Sequence, residues 1–63
     1  MRIKELRKAR GMTGAELAKA IHTTPVTISR YETGKRMPSI EKVVEMAKVL
    51  GVTIEELIGK KAG

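Results

Sequence analysis

The feature that most constrains this chain is its punctuation, because hydroxyl residues and glycines alternate so closely that no helix between them can run much beyond about three turns. Thr13, Thr24, Ser39 and Thr53 stand where a side-chain oxygen can accept a hydrogen bond from an unpaired amide of a first helical turn. Glu16 lies three residues after Thr13, and Glu56 three after Thr53, which is the spacing of a capping box. Pro25 follows Thr24 at the first helical position, where its missing N–H costs nothing. Gly11, Gly34, Gly51 and Gly59 mark the opposite ends, where a left-handed residue closes a helix. The punctuation predicts an all-α fold of five short helices near residues 2–10, 14–21, 25–33, 40–50 and 54–58. It assigns residues 1–59 to a single domain and 60–63 to a short basic tail.

Short helices must be held by one another, and 63 residues bury only roughly 60% of the surface that the unfolded chain exposes. With no cysteine, no Phe and no Trp, the core has to be aliphatic and cannot be stapled by disulfides. Ile40, Val43, Val44, Ala47 and Leu50 repeat at offsets of three and four and predict that the fourth helix is a wall of the core. Ile3 and Leu6, then Leu17, Ala18 and Ile21, then Leu57 and Ile58 supply the other faces, with Val52 and Ile54 bridging the last turn.

Several functions are excluded on composition. Catalysis needs a converging nucleophile, base and stabiliser, and a lone His22 with no cysteine or aspartate anywhere in the chain provides none, so no enzyme activity is expected. The same poverty argues against a metal site. No cofactor and no small-molecule substrate are expected. Charges interrupt every helix-length window, so neither a signal peptide nor a membrane span is expected, and the chain reads as cytoplasmic. The net charge is +6 and unevenly placed. Arg2, Lys4, Arg7, Lys8 and Arg10 crowd the start, Lys35 and Arg36 add a second basic spot, and Glu41, Glu45, Glu55 and Glu56 sit in the last third. A basic surface keeps a small protein soluble, so this charge points to nucleic acid only if its position agrees.

The third helix supplies that position. Its strongly apolar residues are Ile28 and Tyr31, a narrow buried stripe, which turns Val26, Ser29, Arg30 and Thr33 outward, with Pro25 at the leading end. A helix chosen only for solubility would carry more Lys and Glu there. Small and β-branched residues around one arginine suit a DNA groove, because methyl groups can meet a thymine methyl and arginine can donate two hydrogen bonds to guanine. Thr27 can reach a phosphate from the side, and Lys35 and Arg36 follow where a duplex backbone would pass. Residues 22–24 leave only a short turn before this helix, which is the helix-turn-helix spacing.

Four segments, "IKELRKARGMT", "AELAKAI", "TPVTISRYETGKRMPS" and "VVEMAKVLGVTIEELI", occur in the order that resembles the lambda-repressor-like, or Xre-type (Cro/repressor), helix-turn-helix family of phages and bacteria over residues 2–58. The resemblance implies a compact five-helix domain in which the second and third helices form the motif. It implies base contacts from Thr24, Pro25, Val26, Ser29 and Arg30, and phosphate contacts from Thr13, Thr27, Thr33, Lys35 and Arg36. It also pairs Arg7 with Glu32 as a partly buried bridge that orients the third helix. Two positions depart from the family. Gly14 stands where a glutamine is common, leaving only backbone amides of the helix start to meet a phosphate. His22 stands where a turn glycine is usual and is expected to take a left-handed conformation, or else to contact a phosphate or respond to pH.

The expected partner is double-stranded DNA, read sequence-specifically by a transcriptional regulator or repressor acting in a bacterial or phage-like cytoplasm. Two oligomeric states fit, a homodimer on a two-fold site and a monomer, the latter suiting a truncated or engineered chain. A competing reading keeps the fold and gives the third-helix face to a protein partner, as in an antitoxin-like or bridging domain, with Pro25 and Val26 as apolar anchors.

Overall fold

The starts of all the helices but the first are set by local side-chain hydrogen bonds. In a computed structural model that describes residues 1–59, the elements are α1 (Ile3–Ala9), α2 (Gly14–Ala20), α3 (Pro25–Thr33), α4 (Ile40–Leu50) and α5 (Ile54–Ile58). No strand occurs among the described residues, and the tail at 60–63 lies outside them. Thr13, Thr24, Ser39 and Thr53 each accept the amide of the residue three positions on, and the Thr13–Glu16 and Thr53–Glu56 pairs close reciprocally as capping boxes. The backbone N–H and hydroxyl of Thr13 hold the Glu16 carboxyl below the ordinary carboxylate range.

Helices α1 to α4 all end in one way. The amides of Met12, Thr23, Lys35 and Val52 bond back to the carbonyls of Arg7, Ala18, Arg30 and Ala47 at 2.8–3.0 Å, the closure of a Schellman motif. Each closure needs a left-handed residue just before the donor. Glycine fills that place after α1, α3 and α4, but after α2 it is His22, at φ 57°. An L-residue there costs about 1–2 kcal/mol relative to the right-handed region, so the turn into α3 is held under strain by the packing on either side.

The core comprises Ile3 of α1, Leu17 and Ala18 of α2 with Ile21 at its end, Ile28 and Tyr31 of α3, four residues of α4, and Leu57 of α5. Helix α2 packs most extensively on α3, and α4 reaches both α5 and α2. The Arg2 amide donates to the Leu57 carbonyl at 2.8 Å, which ties the chain's start to its last helix.

The apolar stripe of α4 differs from its sequence expectation at one end. Ile40 is 81% exposed, and Met46 takes a core place at 0%. Ile40 has the right angular phase but is the first residue of the helix, beyond the edge of the packed layer, so nothing covers it. Val43, Met46, Ala47 and Leu50 form the buried row, and Val44 is only half-buried. Ile54 and Ile58 likewise remain exposed, because the five-residue α5 turns Leu57 alone inward.

Candidate nucleic-acid interface

Helix α3 is anchored on one side and free on the other. Ile28 and Tyr31 are buried, while Thr24, Pro25, Val26, Ser29, Arg30 and Thr33 are exposed. Val26 is 58% exposed, a large fraction for a β-branched apolar residue whose burial stabilises by roughly 1.5 kcal/mol or more. Packing therefore does not explain its presence on this face. Arg30, Lys35 and Arg36 form no ion pair among the described residues, so their positive charges stand uncompensated beside it.

The junctions fix how α3 is presented. Between the cap Ile21 of α2 and the cap Thr24 of α3 lie only His22 and Thr23. Below this turn, Arg7 of α1 bridges two places. Its Nε donates to Glu32 Oε2 at 2.9 Å and its Nη1 to the Met12 carbonyl at 3.0 Å, which joins the C-terminal turn of α3 to the α1–α2 turn. The two side chains are only 12% and 14% exposed. Desolvation offsets much of the Coulomb gain for such a pair, while the loss of one partner strands the other.

The hydroxyls of the face differ in what they have left to give. Thr13 Oγ1 accepts the Glu16 amide at 3.1 Å, and its hydroxyl also supports the Glu16 carboxyl, so it must exchange that bond before donating to an outside acceptor. Thr24 and Thr27 share a bond between their hydroxyls at 3.0 Å, and Thr24 Oγ1 also accepts the Thr27 amide. Thr33 Oγ1 donates to the Ser29 carbonyl at 3.0 Å, so as placed it can accept but not donate, and it must exchange that bond before meeting a phosphate. Gly14 begins α2, where first-turn amides lack intrahelical acceptors. A Cβ on Gly14 would meet only Ile28 Cγ2 at 3.9 Å, so space does not demand glycine there.

One positioning contact has no local signal in the chain. Lys42 Nζ of α4 donates to the Ile21 carbonyl and lies 3.4 Å from Glu45 Oε2, which pins the end of α2 to a helix far along the sequence. Among the described residues there is no cluster of three or more potential metal ligands, and no helix is long and apolar enough to cross a membrane.

Comparison with known proteins agrees with this geometry. A helix-turn-helix family model matches residues 3–57. The chain is 36% identical to the cryptic phage CTXphi transcriptional repressor RstR of Vibrio cholerae serotype O1, over 98% of its own length and 59% of that protein's. It is 38% identical to multiprotein-bridging factor 1c of Arabidopsis thaliana, over 92% of its length and 39% of the relative's. With an uncharacterized HTH-type transcriptional regulator of Archaeoglobus fulgidus the identity is 41%, over 89% of this chain and 80% of the other. The chain thus spans little more than half the length of the first of these relatives and less of the second. No solved structure matches.

Proposed function

This chain belongs to the helix-turn-helix family, and from that premise we propose that residues 1–59 bind duplex DNA sequence-specifically and serve a transcriptional regulator. Helix α3 lies in the major groove, with Arg30 reading a guanine edge and Thr24, Pro25, Val26 and Ser29 meeting neighbouring bases. Lys35, Arg36, Thr13, Thr27 and the Gly14 amide hold the flanking backbones, joined by Thr33 once it releases Ser29. The place of action is the cytoplasm, on the nucleoid. The observation that carries this reading is the half-buried character of α3, with Ile28 and Tyr31 locked inward and Val26, Ser29 and Arg30 left in solvent without ion-pair partners.

The test is a titration of a mixed-sequence duplex at several salt concentrations. The logarithm of the affinity should fall linearly with log salt, and Lys35→Ala should weaken all sequences alike and reduce the slope by about one. Affinity that ignores salt would contradict phosphate-held binding.

A second reading is favoured by the likeness to a protein named as a bridging factor. In it the same α3 face meets a protein, with Pro25 and Val26 as anchors. It predicts that Val26→Asp abolishes association with a protein partner while duplex DNA is retained neither by the parent nor by the variant.

A further inference from the structure

Two residues of this chain break a local rule, and one backbone carbonyl joins them. At the third position of α4 stands Lys42, whose amide donates to the Ser39 cap at 3.3 Å. The partial positive charge of a helix start favours an acid there, and α2 and α5 place Glu16 and Glu56 at that position in their capping boxes. A lysine in its stead weakens the start of α4, so the reason for it lies outside that helix. The other misfit is His22, left-handed at φ 57° where the closures of α1, α3 and α4 have glycine.

Lys42 Nζ donates to the Ile21 carbonyl, which belongs to the peptide leading into His22. The carbonyls at the corresponding places before Gly11, Gly34 and Gly51, those of Arg10, Thr33 and Leu50, accept no side-chain donor among the described residues. A change of φ at His22 turns this peptide plane against the chain that follows, so a carbonyl tied from outside resists it. Both ends of the tie are firm. Ile21 is fully buried, and Lys42 directly precedes Val43, the first of the buried row of α4. Glu45 Oε2, one turn further along α4, lies 3.4 Å from the ammonium and holds it in line. Only Thr23 separates His22 from the cap of α3, so the conformation of His22 sets the direction in which α3 leaves α2.

We infer that Lys42 is a positioning residue for DNA recognition, which clamps the strained His22 turn from α4 and so sets how α3 is presented, without itself touching DNA. The inference rests on the DNA-binding reading for that consequence, while the clamp rests on the contact between Lys42 and Ile21. A charge-assisted bond to a carbonyl is among the stronger single contacts a side chain makes, and here it is set against the preference of His22 to leave the left-handed region. The two residues are therefore coupled. With glycine at the turn the clamp would have little to hold.

The experiment compares the parent with Lys42→Met, His22→Gly and the double variant, each shown to be folded by thermal melting, with Lys42→Gln in place of Lys42→Met if the latter loses its fold. Hydrogen exchange of the Thr23 amide, which closes the turn on the Ala18 carbonyl at 2.8 Å, reads the clamp with no DNA present. Lys42→Met should speed that exchange roughly tenfold, and much less once His22→Gly is also present. The Met12 amide, in the glycine closure of α1, should keep its rate. Against a mixed-sequence duplex, Lys42→Met should lower affinity roughly tenfold at the salt slope of the parent, and His22→Gly should return most of the loss. A Thr23 rate that Lys42→Met leaves unchanged, raises no more than that of Met12, or raises equally with and without His22→Gly overturns the clamp. A salt slope reduced by about one makes Lys42 a phosphate contact and overturns its positioning role. Faster Thr23 exchange in a protein that binds no duplex upholds the clamp and overturns the DNA reading alone.

Discussion

Helices α3 and α4 are similar in length, at nine and eleven residues, yet they are built for opposite ends. Helix α4 buries Val43, Met46, Ala47 and Leu50 in one row, whereas α3 buries only Ile28 and Tyr31. Helices this short are marginal in isolation and persist through tertiary packing. Helix α4 supplies that packing directly. Helix α3 borrows it, through the Arg7–Glu32 bridge at one end and the turn secured by Lys42 at the other. The contrast teaches that a helix can leave most of its surface for recognition when its neighbours fix its place.

That division can be broken most severely in α4. Leu50→Ala removes a fully buried side chain and should destabilise the domain by about 2–5 kcal/mol in urea denaturation. Ile40→Ala on the same helix should stay within about 0.5 kcal/mol, since Ile40 is exposed. Equal losses at both positions would erase the distinction between the covered and uncovered parts of the stripe.

The borrowed stability of α3 comes next. Arg7→Ala leaves Glu32 and the Met12 carbonyl without their partner and should cost about 3 kcal/mol, whereas replacing Arg7 and Glu32 together by Met and Leu should cost distinctly less. A double-mutant cycle measures this, and a double variant as unstable as the sum of its parts would mean that the pair has no coupling. A smaller effect of opposite sign is expected at the turn, where His22→Gly relieves a left-handed residue and should stabilise by about 1 kcal/mol in thermal melts.

The smallest effect concerns pH. The Thr13 amide donates to Glu16 Oε1 at 2.8 Å, and the Glu16 carboxyl titrates below its ordinary value because of Thr13. A carboxyl depressed in the folded state contributes stability that is present above its unfolded pKa and is lost as pH falls through the folded one. The start of α2 should therefore weaken in acid, and Glu16→Gln should flatten that part of the stability–pH curve while leaving α4 unaffected. An unchanged acid limb in the variant would remove Glu16 from the account.

The parts legible in the chain were those decided within one turn of a residue. Caps at Thr13, Thr24, Ser39 and Thr53 and closures at the glycines need only neighbours three to five positions away, so the five elements follow from reading along the sequence. The outward set on α3 follows from helical phase once Ile28 and Tyr31 are turned inward. Phase alone, however, does not say where the core stops, so the stripe read from the sequence includes Ile40, which is exposed, and omits Met46, which is buried. The Lys42 bond to Ile21 and the bridge from Arg7 to the Met12 carbonyl join residues from separate elements. Nothing periodic announces them.

The most direct measurement is base-by-base affinity on the sequence recovered by selection from a random duplex pool, made for the parent and for Arg30→Ala. The account predicts that the variant keeps its thermal stability, loses about 1–3 kcal/mol of binding, and no longer distinguishes guanine from other bases at one position. A variant that binds every substituted duplex as the parent does, with the same preference at every position, would contradict the placement of α3 in the groove.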